Sequence, residues 1–191
     1  MEYLEKLRLD LMKTVPGTTE YDSISSMIEL QQRISAVYIR LEENLKGDGL
    51  RQITTSALGV CLFMASALSM SPLNEDINWQ ELLLGTIDIL KQSSRCNVIF
   101  KEHLEGLARN LIFKPFDYIA HDELVLMALC VFVNRKIRVM EEGGQLIVIC
   151  PVQSREILCL PAVDIQETEA ITITHLTSAG PEHYHGVLRL G

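Results

Sequence analysis

The chain has 191 residues, of which 48% are apolar and 22% charged, the balance of a soluble globular chain long enough for one sizeable core. Its formal net charge of -8 and pI near 5.1 argue against a duplex-binding surface, because neutralising phosphates needs a basic patch and none is concentrated here. No run approaches the roughly 18 uncharged apolar residues that span a bilayer, and Met1-Glu2-Tyr3-Leu4-Glu5 does not read as a signal peptide, so a cytoplasmic protein is expected.

Taken in order, Tyr3, Leu4, Leu7, Leu11 and Met12 recur at helical spacing up to Val15-Pro16-Gly17, where proline and glycine end the helix. A longer helix starts near Tyr21-Asp22-Ser23, and Ile24, Met27, Ile28, Ile34, Val37, Tyr38, Leu41 and Leu45 carry it to Gly47-Asp48-Gly49. Together they predict an N-terminal helical hairpin over 1–50, ahead of a second unit over 51–191. Ala57-Leu58-Gly59-Val60-Cys61-Leu62-Phe63-Met64-Ala65 then runs from a glycine-containing turn into a helix that Ser71-Pro72 ends. Asn74-Glu75-Asp76 offers a cap for a helix carrying Ile77, Leu82, Leu83, Ile87 and Leu90, which stops near Ser93-Ser94. A shorter helix follows around Leu104, Leu107, Ala108 and Leu111.

From His121-Asp122-Glu123 the run Leu124 to Val133 is nearly all apolar, the signature of a helix buried on most sides. Ile137-Arg138-Val139-Met140 reads as a strand, Glu141-Glu142-Gly143-Gly144 as a hairpin turn and Gln145 to Cys150 as the returning strand. Ile157-Leu158-Cys159-Leu160, Ile171-Thr172-Ile173-Thr174 and Val187-Leu188-Arg189-Leu190 are expected to complete the strands. Helices first and strands late predict an α+β fold, a small mixed sheet flanked by helices.

The five cysteines, Cys61, Cys96, Cys130, Cys150 and Cys159, are odd in number and contain no CxxC pair, which suits free thiols in a reducing compartment. Cys61 is the one with a chemical context. A cysteine is a nucleophile as its thiolate, and a helix N-terminus and a nearby imidazole both lower its pKa. Cys61 is accordingly expected to be exposed and thiolate-prone, with Gly180-Pro181-Glu182-His183-Tyr184-His185-Gly186-Val187 supplying the base. Zinc binding by His175, His183 and His185 with a cysteine is disfavoured by the lack of a close cysteine pair, so no metal or other cofactor is expected. The glycines form neither GxGxxG nor GxxxxGK[ST], and GxSxG is absent.

Two stretches carry a family resemblance. Leu58-Gly59-Val60-Cys61-Leu62-Phe63-Met64-Ala65 resembles the Asp-Gly-Asn-Cys-Leu-Phe-Arg-Ala pattern of the ovarian-tumour (OTU) cysteine proteases, and His183-Tyr184-His185 resembles their terminal His-Tyr-Asp or His-Tyr-Asn. The likeness runs from about Ser56 to Gly191. It implies a papain-type cysteine protease fold, ubiquitin or ubiquitin-like conjugates as partners, Cys61 as nucleophile, His183 as general base and His185 as the group that accepts a hydrogen bond from His183 and orients it. Backbone N–H groups around Leu58, Gly59 and Val60 would hold the oxyanion. The sequence departs from the pattern at Leu58 and His185, both acidic or amide positions in the family, and those departures support the alternative of an OTU-fold pseudoenzyme that binds ubiquitin without cutting it. Relatives that draw the orienting acid from upstream of the cysteine make Asp22 and Asp48 candidates. Gly47-Asp48-Gly49 also copies the family's Gly-Asp-Gly, a register that would put Arg51 in the nucleophile's place; the Cys61 register alone brings Cys-Leu-Phe together with the following alanine.

Overall fold

In the computed structural model, the structure describes residues 2–55, 59–71, 77–115, 122–163, 168–177 and 183–189. The order of elements is α1 (Glu2–Leu11), α2 (Thr19–Gly47), β1 (Leu50–Ile53), α3 (Cys61–Met70), α4 (Trp79–Cys96), α5 (Lys101–Phe113), α6 (Glu123–Val133), β2 (Ile137–Glu141), β3 (Leu146–Ile149), α7 (Pro151–Ile157), β4 (Ile171–Leu176) and β5 (His183–Arg189). This is the expected α+β arrangement. The strands form one sheet in the order β1-β5-β4-β2-β3. β2 and β4 run parallel, and the other pairs are antiparallel.

Local chemistry explains most boundaries. Thr18 caps α2 by accepting from Tyr21 N at 3.2 Å, and Asp122 caps α6 by accepting from Leu124 N at 2.9 Å. α4 starts later than the composition suggests, with Asn78 accepting from Glu81 N at 2.9 Å; the expected cap at Asn74-Glu75-Asp76 lies outside the described residues. The β2–β3 hairpin closes on Gly144, whose φ of 83° favours glycine.

One expected strand is corrected, and one strand appears that was not expected. Ile157-Leu158-Cys159-Leu160 is not a strand. Pro151 stands at the first turn of α7, where its missing N–H is harmless, and the helix runs into a turn at Cys159 with φ 55°. The carbonyls a strand would have paired are taken by α4 and the residue that ends it: Asn97 Nδ2 donates to Ile157 O at 2.9 Å and Ser93 Oγ to Leu158 O at 2.6 Å. Conversely Leu50–Ile53, directly after the Gly-Asp-Gly turn, is a strand paired with β5 from Leu50↔Arg189 to Ile53↔Gly186.

Helices cover both sides of the sheet. α3, α4, α5 and α6 build the larger core with Ile137, Val139, Ile171, Ile173 and Tyr184 of the strands. α6 lies at its centre, with Val125, Ala128, Leu129 and Cys130 without solvent exposure; burying a side chain the size of Val125 or Leu129 contributes about 2 kcal/mol of transfer free energy. On the opposite side, Leu41 and Leu45 of α2 pack with Leu50, Met140, Leu176 and Val187, joined by Val37 and Tyr38. The first half of α2 instead packs against α1 through Leu7, Ile24 and Ile28. The expected hairpin is therefore present as α1 and α2, while the second half of α2 is part of the sheet's own core.

Candidate active site

Cys61 is the first residue of α3. The turn ahead of it, Gly59-Val60, is buried, and Val60 takes the cap position with φ -95° and ψ 9°, its side chain making no hydrogen bond. The free N–H groups of the first helical turn therefore point toward the space around the sulfur. α3 packs on β5 and β4, and its approach to β5 is close: a Cβ added at Gly186 would lie 3.0 Å from Leu68 Cβ and 3.1 Å from Ala65 O. Glycine at 186 is what lets the helix carrying the thiol sit against the strand carrying the histidines.

Cys61 was expected to be exposed. It is 1% exposed, whereas Cys96 and Cys159 are the exposed thiols. Burial pushes the Cys61 thiol up, and backbone N–H groups of Tyr184, Leu62 and Cys61 itself draw it partly back. The Tyr184 N–H belongs to the peptide bond that joins it to His183, so the sulfur lies beside that bond. No hydrogen bond joins Cys61 to His183 among the described residues, and the resting thiol is neutral.

His183 and His185 open β5 and, two residues apart, project to one face. His183 is 8% exposed and His185 1%. Burial lowers both, His185 to about 4, with the neighbouring His183 adding to that effect. Their rings meet edge to face at a centroid distance of 4.3 Å. The expected hydrogen bond between them is not formed. Each bonds instead to Thr55, a buried residue just after β1. His183 Nε2 donates to Thr55 O at 3.0 Å and lies 3.3 Å from Thr55 Oγ1; Thr55 N donates to His185 Nδ1 at 3.1 Å; and Thr55 Oγ1 donates to Tyr184 O. His185 Nε2 pairs with Tyr38 Oη of α2 at 2.9 Å. Among the described residues His183 Nδ1, although buried, has no hydrogen-bond partner.

The remaining candidates fall elsewhere. Arg51 is exposed on β1, not at a helix start. Asp48 ends α2 and lies 3.6 Å from Arg138 Nη2, and Asp22 is exposed in the first turn of α2. Neither bonds to a histidine of β5. Leu58 lies outside the described residues. His175 is drawn to Glu141, at 3.1 and 3.2 Å from its carboxylate oxygens, and stacks on Tyr184, on the opposite sheet face from His183 and His185. Among the described residues no three His, Cys, Asp or Glu side chains are grouped as metal ligands.

Sequence reasoning missed Thr55 and Tyr38 as members of this cluster. Thr55 contributes chiefly through its backbone, which leaves no mark in the residue type. Tyr38 did carry a signal, since a tyrosine in the apolar stripe of a helix needs a partner for its hydroxyl.

No protein-family profile and no curated protein matches the chain. Among solved structures, the OTU domain of OTUD1 superposes with a TM-score of 0.51 at 15% sequence identity, over 80% of this chain and 97% of that one. The likeness is one of fold: the architecture is OTU-like, a mixed sheet with helices on both sides. Among the described residues no helix is long and apolar enough to cross a membrane.

Proposed function

We propose that this OTU-like chain is a cysteine-type hydrolase that releases ubiquitin or a ubiquitin-like modifier from its conjugates, with Cys61 as nucleophile and His183 as base. The observation that carries this reading is the hydrogen bonding of the His183 ring. Its Nε2–H is committed to Thr55 O, so the neutral ring must hold its lone pair on Nδ1, the unpartnered nitrogen. A base needs that vacancy, and burial keeps the ring neutral and ready to accept.

The reaction then proceeds as acyl transfer. Nδ1 takes the Sγ proton as the thiolate adds to the carbonyl carbon at the modifier's C-terminus. The oxyanion is held by backbone N–H groups of the stretch from Leu58, Gly59 and Val60 to Cys61. When the tetrahedral species collapses, the C–N bond breaks and His183 returns the proton to the leaving lysine amine. Water then attacks the thioester, giving its proton to Nδ1, and the thiol leaves reprotonated. Because burial raises the resting thiol, thiolate formation is coupled to substrate arrival and basal reactivity is low.

One observation favours a second reading, a modifier-binding pseudoenzyme: Cys61 is buried and, among the described residues, not hydrogen-bonded to His183. A ubiquitin bearing a C-terminal thiol-reactive group separates the two. Covalent labelling mapped to Cys61 supports the hydrolase. Saturable binding without an adduct supports the binding module, and labelling of Cys96 or Cys159 alone overturns the site.

A further inference from the structure

The hydrogen bonds around β5 form an uninterrupted path from α2 to the base. It runs from Tyr38 Oη to His185 Nε2 at 2.9 Å, from His185 Nδ1 to Thr55 N at 3.1 Å, and from Thr55 O to His183 Nε2 at 3.0 Å. The direction of each bond is dictated. A backbone N–H can only donate, so His185 Nδ1 must be the bare nitrogen and Nε2 must carry the proton. Nε2–H therefore donates to the Tyr38 hydroxyl. A carbonyl can only accept, so His183 also carries its proton on Nε2 and its lone pair on Nδ1. One residue, Thr55, thus sets the same tautomer on both rings, and its hydroxyl also donates to Tyr184 O. Tyr38 is anchored in turn, because Leu41 and Leu45 on the same helix are wholly buried against the sheet.

We infer that Tyr38, His185 and Thr55 act as positioning residues, a relay through which α2 sets the tautomer and ring orientation of His183. In this arrangement His185 does not orient the base directly. It accepts from Thr55 N–H, and Thr55 C=O accepts from the base. The role rests on the hydrolase reading for its consequence in turnover, but the tautomer itself is a property of the folded chain.

The test uses the full chain with 15N-labelled histidine and records two-bond proton–nitrogen correlations of the side chains near pH 7. The parent should show His183 with a bare Nδ1 and a protonated Nε2, and His185 in the same form. Tyr38→Phe removes the acceptor for His185 Nε2–H and should leave His183 as a mixture of tautomers. His185→Ala, which deletes the acceptor for Thr55 N, should do the same more strongly. His185→Asn places an amide oxygen near the former Nδ1 and should restore the single tautomer. In parallel, kcat/KM on a fluorogenic modifier substrate should fall about ten- to hundredfold in Tyr38→Phe and His185→Ala through kcat, with recovery in His185→Asn, as expected when a base is misaligned. A single, parent-like tautomer of His183 in Tyr38→Phe overturns the relay, whatever becomes of His185→Ala. If the tautomers respond as described but no variant, the parent included, turns over substrate or reacts with the probe, the relay stands and the hydrolase reading fails.

Discussion

Charging His185 should destabilise the fold, and the cost follows from its surroundings. The side chain is 1% exposed, and both ring nitrogens are committed, Nδ1 as an acceptor from Thr55 N. The imidazolium would set an Nδ1–H against the Thr55 N–H, without water and beside His183. Burial, with the neighbouring His183 adding to it, holds the group near 4 in the folded chain, against 6.5 when unfolded. Between those values the unfolded chain takes up a proton and the folded chain does not, so stability contributed by neutral His185 is complete above pH 6.5 and is lost as pH falls toward 4. The loss is about 2 kcal/mol between pH 8 and pH 5 and about 3 kcal/mol by pH 4. His183, lowered in the same direction by burial, adds to it. The assay is urea unfolding followed by far-ultraviolet circular dichroism, at pH 8 and pH 5, for the parent and for His185→Asn, which cannot titrate yet keeps an acceptor near Thr55 N. Carboxylates contribute equally to both proteins and cancel in the comparison. The parent should lose about 2 kcal/mol more than the variant over that interval. Equal losses, or a larger loss in His185→Asn, would refute the buried, neutral state of His185.

Cys61→Ala should abolish hydrolysis of a modifier substrate, while Arg51→Ala, exposed on β1, should leave kcat/KM within about threefold of the parent; steady-state assays of the two variants decide between the registers. Asn97→Ala removes the side chain that bonds Ile157 O and accepts from Ile99 N and Phe100 N. It should cost about 1 to 2 kcal/mol in urea unfolding at neutral pH, because part-buried backbone groups lose their partners; a cost under about 0.5 kcal/mol would mean that water replaces it without penalty.

Elements specified by local pattern were legible in the chain itself. The apolar run of α6, its Asp122 cap, the glycine-bearing hairpin turn and the stripe of α2 each follow from side-chain types a few residues apart. The positions of Cys61 at the start of α3 and of His183 at the start of β5 were legible in the same way. The Ile157–Leu160 segment has a strand's composition, yet it ends a helix because Ser93 and Asn97 of a distant stretch take its carbonyls. Leu50–Ile53 becomes a strand only because the last segment of the chain lies beside it.

The state of the site was decided at the same level. Cys61 is buried because β5 returns beneath α3, and glycine at 186 permits the close fit. The partner of His183 is a backbone carbonyl 128 residues away, and every residue has one. No residue type marks a carbonyl as a histidine's partner, so the bond from His183 to Thr55 O could not be read from the sequence. Residue identity marked Cys61 and His183 as the candidates for the proposed nucleophile and base. Only the folding of β1 against β5, and of α2 over both, decided which nitrogen of His183 is free to take a proton.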